Sequence, residues 1–297
     1  MIEQAVFQHL MAQEPLAERL TTYNREPAVF NQEAPADTDP LWDYDCQYPR
    51  IVFAVDLQGN PERCMGGTLV VDIMCHEDDP PEEIEPIIRE LIHGYFFSKD
   101  TFTVSAQWKT TSYFTQPTDE ITGCTISFDL LGFPMLTTDS PDVIRRINEW
   151  TRDNFHRNLH VINHDHMPQD AWKPTGDEAA VYWRLVTDDS AGWIPDTFQT
   201  IWRTATIRGH VFAEDVSRAA TVGRHLIVKL YTDKRLLREE ETPIMVNRKN
   251  SQDNSADPLR TGQVTVEATY AIIVHFDNSK TIDRFHTSEK EVSHGED

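Results

Sequence analysis

The 297-residue chain carries 27 Lys and Arg against 49 Asp and Glu, a formal net charge of −22, with 39% hydrophobic and 10% aromatic residues. That length exceeds one comfortable hydrophobic core, so about two domains are expected, and the apolar content is enough to fill them. So acidic a surface repels phosphate and argues against a sequence-reading nucleic-acid binder, while the absence of any apolar run near the ~20 residues that span a bilayer argues against a membrane protein.

The start, Met1-Ile2-Glu3-Gln4, lacks the basic and apolar character of a signal peptide, so synthesis and assembly in a cytoplasm are expected. Residues 1–139 hold 7 basic against 24 acidic side chains, and residues 140–297 hold 20 against 25. Cys46, Cys64, Cys75 and Cys124 show no zinc-knuckle or redox spacing and read as reduced, mostly buried thiols.

Ile2, Ala5, Val6, His9 and Leu10 recur at helical spacing over residues 2–13, and Pro15 breaks or bends that helix. A polar connection from Asn31 to Gln47 leads to a strand at Ile51–Val55 and a turn at Gly59-Asn60-Pro61. A second strand over 68–75 puts Leu69, Val71, Ile73 and Cys75 on one face. The prolines and carboxylates of residues 78–83 suit a helix start, whose positive dipole end favours acids. The stripe Ile84, Ile87, Ile88, Leu91, Ile92, Tyr95 and Phe96 then predicts a helix lying on a sheet. Strands follow over about 101–109 and 123–133, the latter alternating Cys124, Ile126, Phe128 and Leu130 against polar residues.

The same order then returns. Asp139-Ser140-Pro141 is an N-cap candidate for a helix with Val143, Ile144, Ile147, Phe155 and Leu159 as its apolar stripe. Strands at 180–186 and near 199–212, a helix from Glu214, and strands at Thr242–Lys249 and Val264–Phe276 complete the second series. The expected fold is therefore α+β: two tandem copies of one unit, each an antiparallel sheet with helices packed on one face. The first covers 1–138, the second and more diverged copy 139–276, and a polar tail or arm 277–297.

The N-terminal helix, the proline-containing loop ending in YPRIVFAVD, the strand-to-helix passage TLVVDIMCHEDDPPEEIEPIIRELIHGYF and the closing hairpin ITGCTISFDLLGF together resemble the tail-terminator (tail-completion) proteins of tailed bacteriophages. The resemblance implies a non-enzymatic virion protein that needs no cofactor. It implies a ring at the head-proximal end of the tail, whose partners are copies of itself, the tail tube protein and the head-tail connector proteins. Genomic DNA would pass through the lumen without sequence-specific binding. A typical member has one copy and forms a hexamer, so two copies per chain imply a pseudo-hexameric trimer, with a six-chain ring as the alternative. Another neck, tube or baseplate ring component is the alternative within phage particles.

Aromatic residues in loops concentrate binding energy, which makes Trp42, Tyr44, Tyr48 and Trp193 candidates for subunit contacts. Asn254 and Asp257, in the long polar connection 250–258, are further interface candidates, and Asp37, Asp39, Asp43 and Asp45 are candidates for an acidic wall along the DNA path. His156, His160, His164 and His166 offer metal-ligand chemistry for a hydrolase, yet no His-Glu-x-x-His motif is present and a solvated histidine-rich connection explains them. The carboxylates of residues 77–85 lack calcium-loop spacing, and no glycine-rich phosphate loop occurs.

Overall fold

The computed structural model describes residues 2–43, 46–58, 66–99, 102–116, 120–138, 141–155, 157–165, 167, 169–197, 199–236 and 244–273. The fold is mixed α+β with strands predominating, and it is organised around two sheets.

Helix α1 (Ile2–Met11) buries Ile2, Ala5, Val6 and Leu10. Pro15 bends the chain without ending helicity, because it occupies the first turn of a second short helix, α2 (Glu14–Ala17), where no amide hydrogen is needed. A small ribbon, β1 (Thr22–Tyr23) with β2 (Glu26–Pro27), precedes β3 (Val29–Asn31), which lies parallel to β4 (Arg50–Gln58). Next comes β5 (Gly66–His76), antiparallel to β4.

The acidic turn Pro81–Glu83 leads into α3 (Glu85–Ile92), which buries Ile88 and Ile92. The helix stops four residues before the apolar stripe predicts, since His93 is extended and Gly94 takes φ +79°. Phe96 therefore opens a strand, β6 (Phe96–Lys99), and not the last helical turn. The long hairpin β7 (Phe102–Gln116) and β8 (Ile121–Pro134) closes the first half.

Helix α4 (Val143–Phe155) is capped by Asp142, whose carboxylate accepts from the Arg145 amide at 2.9 Å. Asp139 and Ser140, the expected cap, lie outside the described residues. Leu159 belongs to β9 (Leu159–Val161), and the following connection holds the two-residue strand β10 (Ala171–Trp172). Strands β11 (Ala179–Ser190) and β12 (Thr200–Phe212) are antiparallel, and α5 (Val216–Asp233) starts on the Asp215 cap, 2.7 Å from the Arg218 amide. Short strands β13 (Arg235–Leu236), β14 (Ile244–Val246) and β15 (Ser251–Gln252) precede β16 (Val264–Ile273).

The first sheet runs β10-β6-β7-β8-β5-β4-β3 and the second β13-β14-β16-β12-β11-β9, with β15 also on β16. Each sheet is mixed where an antiparallel one is expected, because β3 and β9 join their neighbours in parallel. Both are too short for their sequence to show a period of two. Helices α1 and α3 cover one face of the first sheet, over a core that includes Phe53, Ile73, Phe128 and Ile88. Helices α4 and α5 cover one face of the second, over Trp183, Ile207, Val266 and Leu226. Trp183 fills the space above Gly209, where an added Cβ would sit 2.5 Å from its ring, and its Nε1–H donates to Thr151 on α4 at 2.9 Å.

The faces turned away from those cores meet each other at one end. Phe96 and Phe133 of the first sheet pack with Ile162, Trp172, Ala180, Tyr182 and Phe212 of the second half. Ring centroids lie 4.9 Å apart for Phe96 and Phe212, 5.3 Å for Phe133 and Phe212, and 5.2 Å for Phe133 and Tyr182. Tyr182 also donates its hydroxyl to the Pro134 carbonyl at 3.0 Å, and β10 of the second half pairs with β6 of the first. Phe212→Ala removes the ring shared by both sides of this contact and is expected to destabilise the fold by about 3–5 kcal/mol. Urea unfolding followed by tryptophan fluorescence is expected to split into two transitions, and a single transition at the wild-type midpoint would refute the assigned role.

Candidate interaction surfaces

The described residues of connection 32–49 form a built loop. Trp42 is only 6% exposed, packed edge-on against Tyr23 at 5.0 Å and Phe30 at 5.7 Å, with its Nε1–H on the Ala36 carbonyl at 3.0 Å. The Trp42 ring is thus buried within its own chain, and its neighbour Leu41, 47% exposed, is the side chain presented there. Tyr48 is half-buried under the Arg50 guanidinium, 4.6 Å from its ring centroid. Tyr44 and Asp45 lie outside the described residues.

The acidic side chains of this loop hold it in shape. Asp37 pairs with Arg50 and accepts from the Tyr48 hydroxyl at 3.2 Å. Asp39 accepts from the Leu41 amide at 2.9 Å and the Tyr23 hydroxyl at 3.3 Å, and Asp43 from the Thr22 hydroxyl at 2.7 Å. Each carboxylate thus has a structural task in turning the loop, which a free acidic wall would not require.

Trp193 is 67% exposed on the β11–β12 connection. Ile201 and Ile273 are exposed on the same end of that sheet, where the register sets Thr200 against Ile273. Unlike Trp42, Trp193 keeps the apolar area that makes aromatic residues effective in contacts.

Asn254 and Asp257 are exposed, but their loop is pinned at both ends. Asp257 accepts from the Leu259 amide at 2.8 Å and, through its carbonyl, from the Thr261 and Gly262 amides at 2.9 Å. Buried His210 donates through Nδ1 to the Pro258 carbonyl at 2.7 Å, and Gln263 makes paired 2.9 Å bonds to the backbone of Val211. Beneath the loop lies a cavity of about 580 Å³ between the two halves, with Phe96, Phe212 and Leu259 as its apolar wall and Lys173, Glu214 and Asn254 at its polar rim.

The histidines disperse. His160 lies edge-on to Trp172 with Nε2 3.6 Å from Glu178, and that carboxylate also accepts from the Trp172 indole at 3.3 Å. His164 faces Asp165 at 3.2 Å, whose other oxygen caps the Val161 amide at 2.9 Å. His156 and His166 lie outside the described residues, and among the described residues no three His, Cys, Asp or Glu side chains gather to hold a metal ion. No described helix is long and apolar enough to cross a membrane.

Cys75 and Cys124 are fully buried on neighbouring strands, and burial pushes each thiol up to about 12, reinforced by Asp79 and Glu82 for the first and by Glu85 for the second. Cys46 is exposed, an exception within the expected mostly buried set, and Cys64 lies outside the described residues. Iodoacetamide at pH 8 is therefore expected to label Cys46 while leaving Cys75 and Cys124 unmodified until the chain is unfolded. Peptide mass mapping checks this, and labelling of Cys75 in the native protein would contradict it.

Neither known protein families nor curated proteins match this chain on comparison.

Proposed function

We propose that the chain consists of two tandem copies of one α+β unit and acts as a ring-forming structural protein of a phage tail, of the tail-terminator kind. The correspondence of strand order supports the first step. From the parallel edge inward, the first sheet reads β3-β4-β5-β8-β7-β6 and the second β9-β11-β12-β16-β14-β13. With β1, β2, β10 and β15 set aside, each position is filled by the strand of corresponding rank in its half. A helix precedes the parallel edge strand in both halves, α1 or α4, and a helix crosses from the third strand to the last, α3 or α5. Two unrelated halves have no physical reason to share a sheet with one parallel edge and the same crossover.

Several features fit the second step. The two units are fixed by an aromatic junction, so each chain offers a rigid pair of units, and a few such pairs close around a hole by repeating one heterologous contact. The net charge of −22 suits a ring past which DNA slides without adhering. Exposed Trp193 offers apolar area for a neighbour in the tail. The ring caps the tube by matching it on one face and the connector on the other, so growth stops without any bond chemistry.

Native mass spectrometry of the assembled ring is expected to give three chains, and six would overturn the trimer. Electron microscopy of particles made without the protein is expected to show overlong tails or tails separate from heads. Joined particles with tails of normal length would refute the terminator role.

A further inference from the structure

The junction inside one chain has a donor and an acceptor, and two corresponding parts recur whose outer sides carry no added strand among the described residues. The donor is β10: Ala171 and Trp172 add to β6 with Ala171 opposite Phe97 and Trp172 opposite Phe96. Ala171 lies twelve residues beyond Leu159, the first residue of β9, and the same step from Val29, the first residue of β3, reaches Leu41. The dipeptides are Ala171-Trp172 and Leu41-Trp42. The acceptor in the first sheet is β6, at the end of the strand order; in the second sheet that place belongs to β13, and among the described residues no strand adds to its outer edge.

The backbone of Leu41 and Trp42 is set for the same use. The Asn24 amide donates to the Leu41 carbonyl at 2.9 Å and Tyr23 forms an antiparallel bridge with Trp42, so one side of this bridge faces β1. Backbone groups alternate along a strand, which turns those of Trp42 to the opposite side, where its amide makes only a 3.3 Å turn bond to Asp39. In β10 it is likewise Trp172 that stands opposite the first residue of the acceptor strand.

Among the described residues, the charged side chains nearest in sequence to Leu41-Trp42 and to Arg235 are opposite in sign. Asp37, Asp39 and Asp43 flank the exposed Leu41, while Lys234, Arg235, Arg248 and Lys249 are exposed around β13 and the end of β14. Phe96, buried in the internal junction, has exposed Arg235 as its counterpart in strand rank and direction. An interface inside one chain is never open to solvent and can be aromatic, whereas one that waits for a partner stays soluble by being charged.

Building on the two-copy reading, we infer that Leu41-Trp42 of one copy adds to the β13 edge of the next copy, repeating between chains the contact that joins the halves within one. The partner is a second copy of this chain, bound head to tail. Asp39 and Asp43 meet Lys234 and Arg235 across the contact. Carried over from β10 on β6, the register sets Leu41 opposite Leu236 and Trp42 opposite Arg235, and one step further brings Asp43 beside Lys234.

The test uses the full chain carrying Asp43→Cys and Lys234→Cys, with Cys46→Ser and Cys64→Ser to remove background thiols. Mild oxidation is expected to link chains into dimers and closed trimers on a non-reducing gel, while each single-cysteine variant stays at the mass of one chain. In the wild-type background, Arg235→Glu is expected to raise the concentration needed for assembly ~10-fold or more, and added Asp43→Lys to restore it. Light scattering measures both, and circular dichroism melting confirms that the variants fold. A wild-type ring whose cysteine pair does not cross-link, or whose Arg235→Glu variant assembles unchanged, overturns this contact and leaves the ring standing. A wild-type chain that stays monomeric at every concentration overturns the ring and the contact together.

Discussion

The contact between the outward faces of the two sheets is the constraint on which the rest of the molecule depends. A sheet covered by helices on one side normally gives its other side to water, and most of the first sheet does so through Asp56, Asp72 and Asp129. At the Phe96 and Phe133 end that rule is reversed, and Tyr182 and Phe212 of the second sheet meet those rings edge-on or tilted. Aromatic pairs of this kind add ~0.5–1.5 kcal/mol each beyond the area they bury. Strand β10 adds a directional lock, because hydrogen bonds fix the register in a way that apolar packing alone does not. The two cores are separate, yet the halves cannot rotate against each other without breaking both elements.

That lock explains the connection between β9 and β11. It carries Trp172 into the junction and seats His160 and Glu178 around the indole, so a segment with four histidines in its neighbourhood serves to hold a strand. The connection between β3 and β4 has the same length class and the same Trp. With the β6 edge of its own half already taken by β10, it folds its Trp42 against Tyr23 and Phe30 instead. The acidic side chains around it satisfy loop backbone and hydroxyl groups, so the charge excess of the first half is partly a consequence of building this loop.

The long elements were legible in the sequence because each holds its period over several turns or strand residues. Helix α5 and strands β5, β8, β11 and β16 fall within a few residues of their expected places. The misreadings share a cause. Phe96 extends the spacing of α3, and only the left-handed Gly94 separates helix from strand. Strands β3, β9, β10 and β13 have two or three residues each, too few for alternation to register. Trp42 looked available because it sits among Asp and Pro, and composition does not reveal that Tyr23 and Phe30 fold over it. Phe133 and Tyr182 did carry a signal: each is an aromatic on the face that alternation assigns to water, and such a residue marks a contact. For the proposed function, the fold supplies the strand-order correspondence and the phage resemblance supplies the biological setting; the charge pattern is compatible with both.

On the two-copy reading, joining the units in one chain changes what a closed ring must solve. Six separate units need six encounters, each weak enough to stay soluble and strong enough to close. A tethered pair makes every second contact intramolecular, where the effective concentration of the partner reaches the millimolar range and the contact can be apolar without risk of aggregation. Three contacts remain, and those are best made polar, because charge speeds the encounter and rejects wrong pairings while the tethered junctions supply rigidity. The aromatic junction inside the chain and the charged donor and acceptor at its two ends are the division of labour that such a ring requires.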